Sequence, residues 1–188
     1  AEAIARAKRQ GVSEELLSEL DGFTGAVGIW DSGRPGPVTA FRFDIDCVQV
    51  GETSDPAHEA NAGGYASQRP NLMHACGHDG HLAVGLGVAQ WIKDHADQLC
   101  GKIKLVFQPA EEGTRGARPM AESGILDDVD FIVCTHIGSS VPLHQVAVCT
   151  HGYLATTKLD IYFEGVPAHA GANPEKGRSA LMAACSAA

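Results

Sequence analysis

The chain predicts an α/β fold, a mixed sheet flanked by helices, and two observations carry that expectation. Apolar or alternating runs of strand length recur at 25–30, 37–43, 102–107 and 130–136. Between the second and third lies a stretch, 79–98, in which Leu82, Val84, Leu86, Val88, Ala89, Trp91 and Ile92 suit a mostly buried helix. Strand, helix and strand in that order give a βαβ arrangement.

The elements follow in chain order. Ser13 before Glu14, Glu15, Leu16 and Leu17 is a helix start, and Gly22 is the expected stop. Residues 25–30 and 37–43 read as paired strands joined by a turn-rich link, 31–36. A long polar loop, 51–70, carries Gly63 and Gly64, and loops of that length inside a compact domain are usually functional. The helix at 79–98 tolerates Gly85 and Gly87 through close packing. After the strands at 102–107 and 130–136, an alternating run at 158–164 predicts another strand, and a helix starts at about 174 and runs towards 188.

The chemistry is concentrated in His74-Ala75-Cys76-Gly77-His78-Asp79-Gly80-His81, three imidazoles and a thiol where the helix begins. Imidazole nitrogen and thiolate sulfur are donors that first-row divalent cations prefer. Glu111 and Glu112 follow the third strand run, where a turn lets adjacent carboxylates diverge, one towards a metal and one towards water. His136 stands near the end of the fourth run. In open α/β sheets, sites gather outside the carboxyl ends of strands, so these loops can converge. A different reading is a closed structural zinc site, because Cys76-x-His78 and Cys134-x-His136 form a formal Cys2His2 set. A closed site needs no carboxylate pair, whereas a hydrolase needs one, and an open position for water as well.

Those motifs, with Arg42-Phe43-Asp44-Ile45-Asp46 before them and Pro167-Ala168-His169-Ala170-Gly171 after them, resemble the metal-dependent amidohydrolases. That group includes hippurate hydrolase, bacterial aminoacylases and plant hydrolases of indoleacetyl-amino acids, within the glutamate carboxypeptidase type of metallopeptidase. The resemblance runs from about residue 25 to the end. It implies hydrolysis of the amide bond of an N-acyl amino acid at a site of two divalent ions, Mn2+ or Zn2+. It makes Cys76, His78, Glu112 and His136 metal ligands and Glu111 the general base. Asp44 and Asp46 then orient ligands from beneath the site, a task open also to His74, Asp79 and His81, for which a structural cap is the equal alternative. His169 becomes a donor to the scissile carbonyl from a lid domain, and Asn173 and Arg178 are weak candidates for holding a substrate carboxylate. The insert 52–64 is similar to the members that split aminobenzoyl-glutamate, a folate breakdown product, with a general aminoacylase or hippurate hydrolase as the rival. Partners implied are a small-molecule substrate and either a related second subunit or a second copy in a homodimer.

The same resemblance divides the chain into a partial catalytic domain at 1–152 and the start of a smaller α+β lid or dimerisation domain at 153–188. It leaves a further metal-binding histidine of the family outside this chain, which therefore reads as a portion of a larger enzyme. Composition, with 44% apolar and 20% charged residues, fits a cytoplasmic globular protein, and no apolar run is long enough for a membrane span. A formal charge of −9 makes nucleic acid or an anionic membrane an unsuited partner. The cysteines at 47, 76, 100, 134, 149 and 185 are scattered, so reduced thiols are expected, all but Cys76 as buried packing residues.

Overall fold

The structure, a computed structural model, describes residues 2–9, 11–20, 24–138, 140–148, 156–157 and 159–187. The helix stop at Gly22, the thiol of Cys149 and Lys158 at the head of the last strand run lie outside the described residues. Two compact units divide the chain, Ala1–Ser140 and Val141–Ala188.

The first unit contains α1 (Glu2–Arg9), α2 (Glu14–Leu20), β1 (Ala26–Asp31), β2 (Val38–Asp44), α3 (Glu59–Gly63), α4 (His78–Asp94), β3 (Lys102–Gln108), α5 (Ala117–Glu122) and β4 (Phe131–Cys134). Ser13 caps α2 as its residue type predicts, its Oγ accepting from Leu16 N at 3.2 Å. The sheet is mixed, in the order β1-β3-β2-β4: β2 runs parallel to β3 and β4, and β1 runs antiparallel to β3. Parallel strands cannot be joined by a tight turn, and α4 lies on the crossover from β2 to β3.

The hairpin expected between β1 and β2 is replaced by insertion of β3 between them. The link at 31–36 is held to the other end of α4 instead. Arg34 donates to the carbonyls of Asp97 at 2.8 Å and Ala96 at 3.0 Å, and also to that of Leu99. Gly36 and Gly101 then let the link and the start of β3 touch: a Cβ on Gly101 would sit 2.1 Å from Pro37 O. β3 has a strand on either side; Ile103, Leu105 and Val106 are buried in it, with the polar Lys104 and Gln108 buried on the same face as Val106.

α4 packs on one sheet face, where Phe43, Ile92, Ile103 and Leu105 form the core with Phe41, Val88, Ala89 and Phe107 around them. Close packing holds at Gly85, where a Cβ would lie 2.6 Å from Phe107 Cε1 and 2.9 Å from Phe43 Cδ2, but Gly87 faces open space. The helix stops at Asp94, short of the expected 98, because Arg34 takes the carbonyls beyond it and His95 Nδ1 folds back on Trp91 O at 2.8 Å. On the opposite face the buried Lys104 donates to Ile125 O at 2.5 Å and pairs with Asp128, fastening the segment after α5. The polar loop expected at 51–70 contains the short helix α3, and the antiparallel bridge Val48↔Met73 closes it.

β4 ends at Cys134, so His136 stands in a loop beyond the last strand pair. Cys47, Cys100, Cys134 and Cys185 are free thiols, as expected, but exposed instead of buried. They lie after β2, before β3, on an edge strand and on the last helix, where no second layer covers them among the described residues. No helix among the described residues is long and apolar enough to cross a membrane.

The second unit has a 3-10 turn, Pro174–Lys176, and α6 (Ala180–Ala187), capped by Ser179 Oγ at 3.1 Å from Met182 N. The strand expected over 158–164 is not formed across its described residues; the unit has an isolated bridge, Val166↔Arg178. A strand needs a partner ladder, and Leu159, Ile161 and Tyr162 are 76%, 64% and 91% exposed with none among the described residues.

Candidate metal centre

The parallel strands β2 and β3 end at the same rim, and α4 starts there, so loops remote in sequence meet as the fold class implies. Asp44 closes β2, fully buried, and Asp46 follows in the turn. Gly77, with φ of +87°, makes the left-handed step into α4 that aims His78 inward, also fully buried. Ring nitrogen Nδ1 of His78 lies 3.0 Å from Asp46 O and 3.2 Å from Asp46 Oδ1. With acceptors on that side, Nδ1 carries the proton and Nε2 presents a lone pair.

That Nε2 is buried and makes no hydrogen bond. It faces three carboxylates instead: Asp44 Oδ1 and Glu111 Oε2 at 3.9 Å and Glu112 Oε1 at 4.0 Å. A lone pair surrounded by anionic oxygens is unfavourable without positive charge between them. Ligand atoms about 2.1 Å from one cation stand roughly 3.4 Å apart at a tetrahedral angle and farther apart at wider ones, so these separations suit a shared divalent ion. Cys76 Sγ, His78 and Glu112 form one group of donors within 4.8 Å of one another; Asp44, His78, His81 and His136 form a second. Cys76 Sγ also lies 3.5 Å from His136 Nε2, which links the two.

Electrostatics point the same way. Burial, then the carboxylates of Glu112, Glu111 and Asp44, push the Cys76 thiol up to about 11. A cation there would displace the thiol proton and relieve the repulsion. Burial opposes ionisation of Asp44, but its hydrogen bond with His81 and the charge of Arg42 hold its carboxyl below the usual range. Arg42 Nη1 donates to Asp44 Oδ2 at 2.6 Å and Arg42 Nε to Gln108 Oε1 at 2.8 Å.

The loop carrying the glutamates is tightly wound. Ala110 takes φ of +54°, and a Cβ on Gly116 would meet Pro109 O at 1.6 Å. Its tie to β2 is Glu112 N, which donates to Asp46 Oδ2 at 3.0 Å. Asp46 thus serves both His78 and Glu112.

Eight of the residues singled out from the sequence are therefore brought to one rim: Asp44, Asp46, Cys76, His78, His81, Glu111, Glu112 and His136. His74 and Asp79 are exposed, and Cys134 is in neither donor group. His169, Asn173 and Arg178 lie in the second unit. There His169 Nδ1 accepts from Gly171 N and Ala172 N, both at 3.1 Å, which leaves Nε2 carrying the proton as a donor. Asn173 precedes the 3-10 turn, and the Arg178 backbone pairs with Val166. Arg42, Gln108 and Ile137 were not singled out. The available signal was strand period, since Arg42 lies two residues before Asp44 on the same face.

Residues 40–188 match the profile of Peptidase family M20/M25/M40. The chain is 51% identical over 181 residues to a Haemophilus influenzae protein named as a homolog of one subunit of p-aminobenzoyl-glutamate hydrolase, covering 96% of this chain and 43% of that protein. It is 52% identical over 189 residues to the indole-3-acetyl-aspartic acid hydrolase of Enterobacter agglomerans, covering 100% and 43%. Among solved structures it is similar to the YXEP protein of Bacillus subtilis, a dinuclear metal binding peptidase from the M20 family. The TM-score is 0.57 and the identity 35%, over 63% of this chain and 31% of that one. The chain spans less than half the length of the curated relatives it matches.

Proposed function

The chain belongs to peptidase family M20/M25/M40, and from that premise we propose that it is the metal-binding part of an amidohydrolase that cleaves an aromatic acyl group from an acidic amino acid. The observation that carries the reading is the lone pair of His78 Nε2, buried, without a hydrogen bond and ringed by Asp44, Glu111 and Glu112. Two of the relatives are named for aminobenzoyl-glutamate and indoleacetyl-aspartate, which share an amide between an aromatic acid and a dicarboxylic amino acid. Aminobenzoyl-glutamate is the first substrate to test, with a general N-acyl amino acid as the rival.

Cys76, His78, Glu112 and His136 would hold the cations, two divalent ions of Mn2+ or Zn2+, a set supported by the donor types and by the dinuclear neighbour. Bound ions supply positive charge that acidifies water and polarises the amide carbonyl. Glu111, whose carboxylate is half-buried beside His78 and is not needed in the Cys76–His78–Glu112 group, takes the proton from water and returns it to the leaving amine. Asp44 and Asp46 orient ligands, and Asp46 fixes the tautomer of His78. The proton on His169 Nε2 suits donation to a developing oxyanion, and Asn173 and Arg178 are the candidate partners of the substrate carboxylate. Residues 1–152 form the catalytic portion in this reading and 153–188 begin the lid. The Haemophilus relative carries the name of one subunit of a hydrolase, which supports assembly with a related second subunit, with a homodimer as the alternative.

The test is glutamate release from aminobenzoyl-glutamate by the full-length protein, with indoleacetyl-aspartate and hippurate alongside. Glu111→Gln is expected to lower kcat by roughly 10²–10⁴-fold with metal content retained. Loss of metal together with activity would remove the base assignment, and preference for hippurate would remove the acidic amino acid.

A further inference from the structure

His81 belongs to one of the two donor groups and sits three residues after His78 on the same helix. Its ring nitrogens are both committed elsewhere. Backbone Ile137 N, which can only donate, gives its hydrogen to His81 Nε2 at 2.8 Å. On the other side Nδ1 is hydrogen-bonded to Asp44 Oδ1, and a carboxylate only accepts, so Nδ1 carries the proton. No lone pair remains on the ring for a cation. The residue is 1% exposed, so no solvent competes for either bond.

Ile137 is the receiving end of this arrangement. Its N–H goes to His81, its carbonyl lies 2.8 Å from His136 Nδ1, and its Cδ1 would be 2.5 Å from a Cβ on Gly80. With Nδ1 donating to that carbonyl, His136 turns Nε2 towards Cys76 Sγ. His136 itself is exposed and lies beyond the last residue pair of β4, so the sheet does not place it. What places it is a line of hydrogen bonds from Gln108 through Arg42, Asp44 and His81 to Ile137.

We propose that His81 is a positioning residue and not a metal ligand: it carries the rigidity of the sheet to Ile137 and so sets where His136 presents Nε2. The proposal rests on the metal-centre reading above. Its test uses the full-length protein as wild type, His81→Ala and His81→Gln, loaded with Co2+. Affinity is read by chelator competition and the ligand set by the visible spectrum and the thiolate-to-cobalt band. Gln keeps an oxygen to accept from Ile137 N and an amide to donate to Asp44.

Loss of such an orienting partner costs metal affinity roughly 10–100-fold, the effect expected for His81→Ala, with Co2+ stoichiometry and band positions as in wild type. His81→Gln should recover most of the affinity. Unchanged affinity in a folded His81→Ala, or a lost ion or shifted bands in His81→Gln, would overturn the proposal. If His81→Ala does not fold, His81→Gln decides: wild-type stoichiometry and bands support positioning, and an altered ligand set refutes it. A wild type that binds no Co2+ removes the metal-centre reading, and this proposal with it.

Discussion

Asp46 is half-buried and ordinary in type, yet two separate parts of the rim hang on its carboxylate, the imidazole of His78 through Oδ1 and the backbone of Glu112 through Oδ2. Asp46→Asn replaces one acceptor oxygen by a donor, so one of those bonds becomes donor against donor. Metal affinity is expected to fall roughly 10–100-fold with little change in thermal stability, checked by chelator competition beside a melting curve. Wild-type affinity in that variant would show that His78 and Glu112 hold their places without it. At this scale the side chains with metal-binding chemistry were legible from spacing: Cys76 and His78 from the helix start, Glu111 and Glu112 from the end of a strand, His136 from the next strand. Gln108, Arg42 and Ile137 were not. Their contribution depends on which strand lies beside which, and on a backbone N–H that every residue but proline possesses.

Helix α4 gives a paired comparison at the scale of an element. Gly85 and Gly87 look alike in sequence, but a methyl at Gly85 enters Phe43 and Phe107, whereas one at Gly87 meets nothing within 4 Å. Gly85→Ala is expected to destabilise the protein by about 1–3 kcal/mol through overpacking. Gly87→Ala should stabilise it by up to about 1 kcal/mol through helix propensity. Thermal melts of the two variants decide, and equal shifts would contradict the packing described. The loop closed by Val48 and Met73 makes a second case. Its latch is Glu52, which accepts from Ser67 N at 2.5 Å and lies 3.1 Å from His58 Nε2. The Ser67 N–H first, and His58 next, hold the Glu52 carboxyl below its ordinary value. A carboxyl lowered on folding stabilises the loop above its unfolded value and loses that effect as pH falls through its folded one. Limited proteolysis within 51–70 should therefore rise as pH drops below about 4. Glu52→Gln should show the faster cleavage already at neutral pH, and a rate that ignores both changes would exclude the latch.

For the whole molecule, the strand–helix–strand alternation was enough to give the class of fold, and the order of strands was not. Placing β3 between β1 and β2 depends on Arg34 reaching carbonyls more than sixty residues away and on two glycines that let the chain segments touch, contacts that no local pattern encodes. The same holds for the last strand run. Alternation at 159–164 announces a strand, but ladder formation needs a neighbour, and among the described residues of the second unit none is present. The cation site inherits this dependence on distance along the chain. Asp46 meets His78 32 residues later, Cys76 meets His136 60 residues later, and Glu112 reaches back 66 residues to Asp46. The antiparallel bridge Val48↔Met73 draws the Asp46 and His78 segments together, but Glu111, Glu112 and His136 follow β3 and β4, so in the proposed reading the full donor set would assemble once β2, β3 and β4 have joined. In that reading metal capture would be a late event in the life of the chain, a report that the sheet is complete rather than a nucleus around which it gathers.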